Sequence, residues 1–168
     1  GLHKRGYRPA HNAAPLKETM AAAMVSLSRY RGREDFCDPF CGSGTIPIEA
    51  ALIAKKRAPG LHREFSAMQW RSFDRSVWRL EREEAISREF NGSYNIIGAD
   101  IDPAALEIAR ENAERAGVSD IVRFERADAT RFDRVTENGI IVTNPPYGER
   151  IMEKQEAEQL YRLFGEAW

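Results

Sequence analysis

The chain has 168 residues, 42% hydrophobic and 30% charged, which is enough for one domain with a core and excludes a disordered tail. No apolar run approaches the roughly 20 residues that cross a bilayer, and the start "GLHKRGYRPA" lacks the apolar centre of a signal peptide. The net charge of −1 gives no general attraction to nucleic acid, and Cys37 and Cys41, with no second Cys/His pair, suggest a reduced cytoplasmic protein without a metal site.

Residues 1–17 carry four Lys/Arg (Lys4, Arg5, Arg8, Lys17), two His and no acid. That leaves two readings open, a solvated linker or an arm for a phosphate backbone. Pro15 to Tyr30, rich in Ala, Met and Leu, reads as a helix. "DFCDPF" is a short strand ending at Asp38, and "GTIPIEAALIAKK" a helix that tolerates Pro47 near its first turn. Residues 57–92 read as an insertion pinned by Trp70, Phe73 and Trp78, with a helix from Arg75 to Phe90. "YNIIGAD" is a buried strand ending at Asp100. "PAALEIARENAERAG" is a helix that starts near Pro103 and stops at Gly117. "IVRFERAD" and "GIIVTN" are two more strands, and "EKQEAEQLYRLFGEAW" begins a last helix. Strands alternating with helices predict an α/β fold, mostly parallel, with helices on both faces of the sheet.

Four consecutive strand ends each carry an acid or amide side chain: Asp38, Asp100, Asp128 and Asn144. Each alone is compatible with a turn or cap. Together, beside the glycine loop "DPFCGSGT", they mark the carboxyl edge of a parallel sheet, where ligands bind. The loop lacks a third glycine in the dinucleotide spacing, since Pro47 stands there, and no Lys-Ser/Thr follows as in a phosphate-gripping loop. The side chains on offer are carboxylates, which suit hydroxyls and amines: a nucleoside with a cationic tail, such as S-adenosylmethionine. In "VTNPPYGER" two prolines, each lacking an N–H, stop the strand and stiffen Asn144 and Tyr147 on its end.

"DPFCGSGT", "GADID", "RADAT" and "NPPY", in that order, resemble the motif series of class I S-adenosylmethionine-dependent methyltransferases that modify exocyclic base amines. "LHKRGYR", "HNAAPLKET" and "RAPGLHREF" bring the likeness to the THUMP-associated branch. Within it the chain resembles the large-subunit ribosomal RNA guanine-N2-methyltransferases, a group also described as N6-adenine-specific DNA methylase-like. The resemblance implies a Rossmann-like domain over residues 18–168, cut short after its fourth strand, with a THUMP domain N-terminal to it in the parent chain. It implies 23S rRNA as partner, S-adenosylmethionine as cofactor, and neither metal nor membrane.

By position, the resemblance assigns Asp100 and Ile101 to the cofactor's ribose side, and Asp128 and Ala129 to its adenine. Asp38, Pro39, Phe40, Cys41, Gly42, Ser43 and Gly44 fall to the methionine end, and Thr19 to a helix closing over it. Asn144, Pro145, Pro146 and Tyr147 would hold the target base. Alternatives are an adenine-N6-methyltransferase on DNA or RNA, a protein glutamine methyltransferase, and a non-catalytic RNA-binding platform of methyltransferase origin.

Overall fold

A computed structural model describes residues 4–8, 16–61, 63–71, 74–131, 138–147 and 151–167. Four parallel strands form one sheet: β1 (Asp35–Asp38), β2 (Ile96–Asp100), β3 (Val122–Arg126) and β4 (Gly139–Ile141), in the order β3-β2-β1-β4. Phe36 of β1 stands level with Ile96 of β2 and Ile140 of β4, a cross-strand apolar row on one face. Phe36 and Ile96 are buried there in one cluster with Ile48 and Ala51 of α2 (Thr45–Lys55) and Ala113 of α4 (Pro103–Ala116). The next residues along, Cys37, Ile97 and Ile141, are level on the opposite face and half-buried. β4 pairs only with β1, so among the described residues it is an edge.

Each helix is set by its ends. α4 begins where the Asp102 carboxylate accepts the Ala104 N–H at 2.9 Å with Pro103 in the first turn, and stops at Gly117, where φ is +70°. α2 starts at Gly44, whose φ is +81°. A Cβ there would lie 2.9 Å from the side chains of Ala109 and Phe124, so this turn requires glycine for conformation and for space. α1 (Glu18–Leu27) packs on α2 through Ala21 and Val25. It is shorter than the expected Pro15–Tyr30 helix; Pro15 lies outside the described residues, and the chain turns at Arg29 with φ +62°.

The described part of the basic start packs against the fold and is not the solvated linker of one reading. Residues 1–3 and 9–15 lie outside the described residues, but Tyr7 belongs to the core, with Arg5 and Arg8 half-buried on either side of it. Tyr7 is 3% exposed and donates its hydroxyl to Glu49 at 3.0 Å; Arg5 pairs with the same carboxylate at 3.4 Å. Burial raises the pKa of Glu49, against the opposing pull of Arg5 and Tyr7. Arg8 donates to Thr45 Oγ1 and the Leu16 carbonyl, both at 3.0 Å, and pairs with buried Glu18 at 3.3 Å.

The stretch 57–92 carries α3 (Arg75–Ser87), none of whose residues is buried. It is held at its edges. Trp78 stacks on Phe65 with ring centroids 5.7 Å apart, Arg57 pairs with Glu89 at 2.7 Å, and the Phe90 N–H donates to the Lys55 carbonyl at 2.8 Å. Trp70 is exposed and does not pin it, and Phe73 lies outside the described residues. α5 (Ile151–Ala167) packs on the short turn Ala129–Arg131 that follows β3. No helix among the described residues is long and apolar enough to cross a membrane.

Candidate active site

The strand order arranges the sequence-predicted residues in a line. Across the carboxyl edge of the sheet come Asp128 after β3, Asp100 at the end of β2, Asp38 and the glycine loop after β1, and Asn144 after β4. Neighbouring strands lie roughly 4.8 Å apart, so adjacent positions in the line are one such step from each other.

The centre of the line is a direct contact. Asp100 accepts the Gly42 N–H on Oδ2 at 2.8 Å and the Asp102 N–H on Oδ1 at 3.0 Å. Each oxygen keeps a further lone pair for an incoming hydroxyl. The Cys41 N–H donates to the Ala99 carbonyl at 2.9 Å, which lays the loop over the end of β2. Gly42 has φ +51°, and a Cβ built on it meets nothing within 4 Å. Its open side is a surface on which a ligand can approach bare backbone. Ile101, 61% exposed, stands beside Asp100 as an apolar face at the strand end. From behind, buried Asn112 of α4 donates to the Ser43 carbonyl at 3.0 Å.

At one end of the line, Asp128 accepts both the N–H and the hydroxyl of Thr130, at 2.9 and 2.7 Å. These bonds hold its carboxyl below the usual range, so it is an ionised acceptor at neutral pH. Ala129 is buried beside it.

Asp38, assigned to the methionine end, has its side chain turned inward. It is 1% exposed, and its Oδ1 accepts the Thr143 hydroxyl at 2.6 Å and the Phe40 N–H at 3.2 Å. Burial pushes its pKa up to about 7 against those two donors, with the Asp100 charge adding to the rise. Pro39 is buried with it, and Phe40 meets the Phe164 ring of α5 edge-on at 5.5 Å. The thiols are poor nucleophiles: burial pushes Cys37 up to about 12 and Cys41 well above its ordinary value.

At the other end, Asn144 is exposed, Pro145 half-buried, Pro146 exposed, and Tyr147 70% exposed with its ring open to solvent. The Pro146 carbonyl accepts the Tyr161 hydroxyl of α5 at 2.7 Å. Thr19 is exposed in the first turn of α1, and the Arg8 bridge between Glu18 and Thr45 joins that turn to the start of α2. Among the described residues no group of three or more His, Cys, Asp or Glu is placed to hold a metal ion.

Sequence reasoning missed Thr143, Tyr161 and the Arg8–Glu18–Thr45 bridge. Glu49, alone in the apolar run "TIPIEAALIA", and Asn112, on the buried stripe of its helix, were signals of buried polar partners. Thr143 and Tyr161 carried none.

The family described as "RMKL-like, methyltransferase domain" matches residues 5–168. The chain belongs to that family. YpsC of Bacillus subtilis (strain 168) is 46% identical over 171 residues, which cover 100% of this chain and 44% of that protein. The ribosomal RNA large subunit methyltransferase K/L of Aliivibrio fischeri (strain MJ11) is 44% identical over 98% of this chain and 24% of its own length. Among solved structures, SMU.472 complexed with SAH superposes with a TM-score of 0.91 at 40% identity, over 99% of this chain and 44% of that one. The chain therefore spans less than half the length of these relatives. SAH is what S-adenosylmethionine becomes on giving up its methyl group, so a relative of this domain holds the product form of that methyl donor.

Proposed function

We propose that this domain transfers a methyl group from S-adenosylmethionine to an exocyclic base amine of RNA, with guanine N2 of large-subunit ribosomal RNA as the target. The observation that carries the reading is the order of groups along the sheet edge. A carboxylate for an amine (Asp128), one for hydroxyls (Asp100), an open glycine backbone (Gly42) and an amide-bearing loop (Asn144) follow one another as adenine, ribose, methionine and acceptor would. The residues present fit the cofactor: carboxylate acceptors at Asp100 and Asp128, an apolar face at Ile101, and backbone that a Cβ at Gly42 would cover. The kinship with the K/L enzymes supports RNA as the substrate.

When bound, S-adenosylmethionine supplies an electrophilic methyl group on a positively charged sulfur. The harder half is the nucleophile, because the lone pair of an exocyclic amine is delocalised into the base. Acceptors aimed at the amine hydrogens favour a pyramidal nitrogen and stabilise the positive charge that develops as the N–C bond forms and sulfur keeps the C–S pair. The Asn144 side-chain oxygen and the Pro145 carbonyl serve as those acceptors, and the extra proton leaves to solvent. The two prolines hold them in place beforehand, so little reorganisation is needed. The exposed Tyr147 ring offers a stacking face for an unstacked base, worth about 1–3 kcal/mol.

Asn144→Ala in the complete protein tests this division of labour. Its oxygen matters as charge develops, so cofactor affinity should stay near wild type while turnover falls by on the order of 10²–10³. Weaker cofactor binding with near-normal turnover at saturation would place Asn144 in the cofactor pocket and overturn the reading.

A further inference from the structure

The loop carrying Asn144 and Tyr147 is held on both sides of Asn144 by side-chain hydroxyls. At its start, Thr143 donates to Asp38 Oδ1 at 2.6 Å, and the same oxygen accepts the Phe40 N–H of the glycine loop. Two residues past Asn144, the Pro146 carbonyl accepts the Tyr161 hydroxyl at 2.7 Å. Three residues on from Tyr161, on the same side of α5, Phe164 meets Phe40 at 5.5 Å. The contacts close on themselves: Asp38, Thr143, the acceptor loop, Tyr161, Phe164, Phe40 and back to Asp38. The shared atom is buried, with Asp38 1% exposed, so water competes little for the two bonds it accepts, whereas the Tyr161–Pro146 bond is exposed.

We infer that Thr143 and Tyr161 are positioning residues that clamp the acceptor loop in register with the cofactor loop, so that acceptor geometry and cofactor placement are set by one ring of contacts. This rests on the reading of Asn144 and Pro145 as acceptors for the target amine. Neither residue touches substrate in this account. Thr143 fixes the backbone immediately before Asn144, and Tyr161 fixes the carbonyl immediately after Pro145. Prolines stiffen the loop internally, but they cannot set its position relative to the glycine loop. The two hydroxyls do that, one from each side.

The test uses the complete protein with labelled S-adenosylmethionine and unmodified ribosomal RNA. Thr143→Val keeps the shape and removes the hydroxyl; Thr143→Ser keeps the hydroxyl; Tyr161→Phe removes the other. Turnover, KM for RNA, cofactor affinity and thermal midpoint are measured for each. Thr143→Val and Tyr161→Phe should each lower kcat at least about tenfold while KM for RNA changes less than about threefold, a pattern of lost transition-state positioning. Thr143→Ser should recover most of the loss. In the double variant the two effects should fall short of multiplying, because one clamp is broken by either change. Turnover within about twofold of wild type in both single variants overturns the clamp, with the methylation reading intact. Were Thr143→Val to fold poorly, Tyr161→Phe, at an exposed helix position, decides alone. Wild-type protein that binds cofactor but transfers nothing to RNA overturns the acceptor reading itself, and the clamp with it.

Discussion

Asp100 holds the glycine loop through the Gly42 N–H and presents spare lone pairs at the edge of the sheet. Asp100→Ala should therefore weaken S-adenosylmethionine binding by about 1.5–3 kcal/mol, the range for hydrogen bonds to a charged group, with the base methylated unchanged. Titration calorimetry on the complete protein checks this, and unchanged affinity would refute the ribose role. Asp38 behaves differently because it is buried. Its carboxyl titrates near 3.8 when unfolded and near about 7 when folded. Between those values the folded chain binds more protons, so this group makes stability fall as pH rises from about 4 to 7, with no further change above. The slope is at most about 1.4 kcal/mol per pH unit. Asp38→Asn keeps a carbonyl acceptor for Thr143 and Phe40 and removes the titration, so its stability should decline less over that window. Urea unfolding at pH 4.5, 6 and 7.5 compares the two; parallel profiles would contradict the assignment. The four polar strand ends were legible in the sequence because Asp and Asn after apolar runs are rare in series. That Asp38 turns inward was not, since its partner Thr143 lies 105 residues away and an ordinary threonine carries no mark of pairing.

Among the elements, β-strands, α2 and α4 followed from apolar runs bounded by glycine, proline and capping aspartate, the local signals that fix helix and strand ends. The N-terminal segment did not follow, because "KRGYR" has the composition of a solvated tail. Its burial depends on Glu18 and Glu49, two carboxylates on separate helices that supply counter-charges within the fold. Arg8→Met should cost about 3–5 kcal/mol, since it strips buried Glu18 of its ion-pair partner and removes the bonds to Thr45 and Leu16. Exposed Lys4→Gln should change stability by no more than about 0.5 kcal/mol. Denaturant midpoints separate the cases: equal small losses at both positions would return the segment to a surface role. α3 was legible as a helix, but its lack of buried residues was not; periodicity shows which side is apolar, not whether anything covers it.

For the whole molecule, sequence order alone could not give the spatial order β3-β2-β1-β4, because parallel strands need not be neighbours in the chain. That order is what turns scattered polar residues into a single line with Asp128 and Asn144 at its ends. It also leaves the partly exposed Ile140 and Ile141 of β4 on an edge among the described residues. The line ends at the loop proposed to hold the methyl acceptor, and the identity of that acceptor is the central claim. The most direct measurement is transfer of labelled methyl from S-adenosylmethionine to unmodified large-subunit ribosomal RNA by the complete protein, followed by digestion to nucleosides. The account predicts label in N2-methylguanosine, formed on the order of 10²–10³ more slowly by Asn144→Ala. Label in N6-methyladenosine, or none in RNA from protein that binds the cofactor, would contradict it.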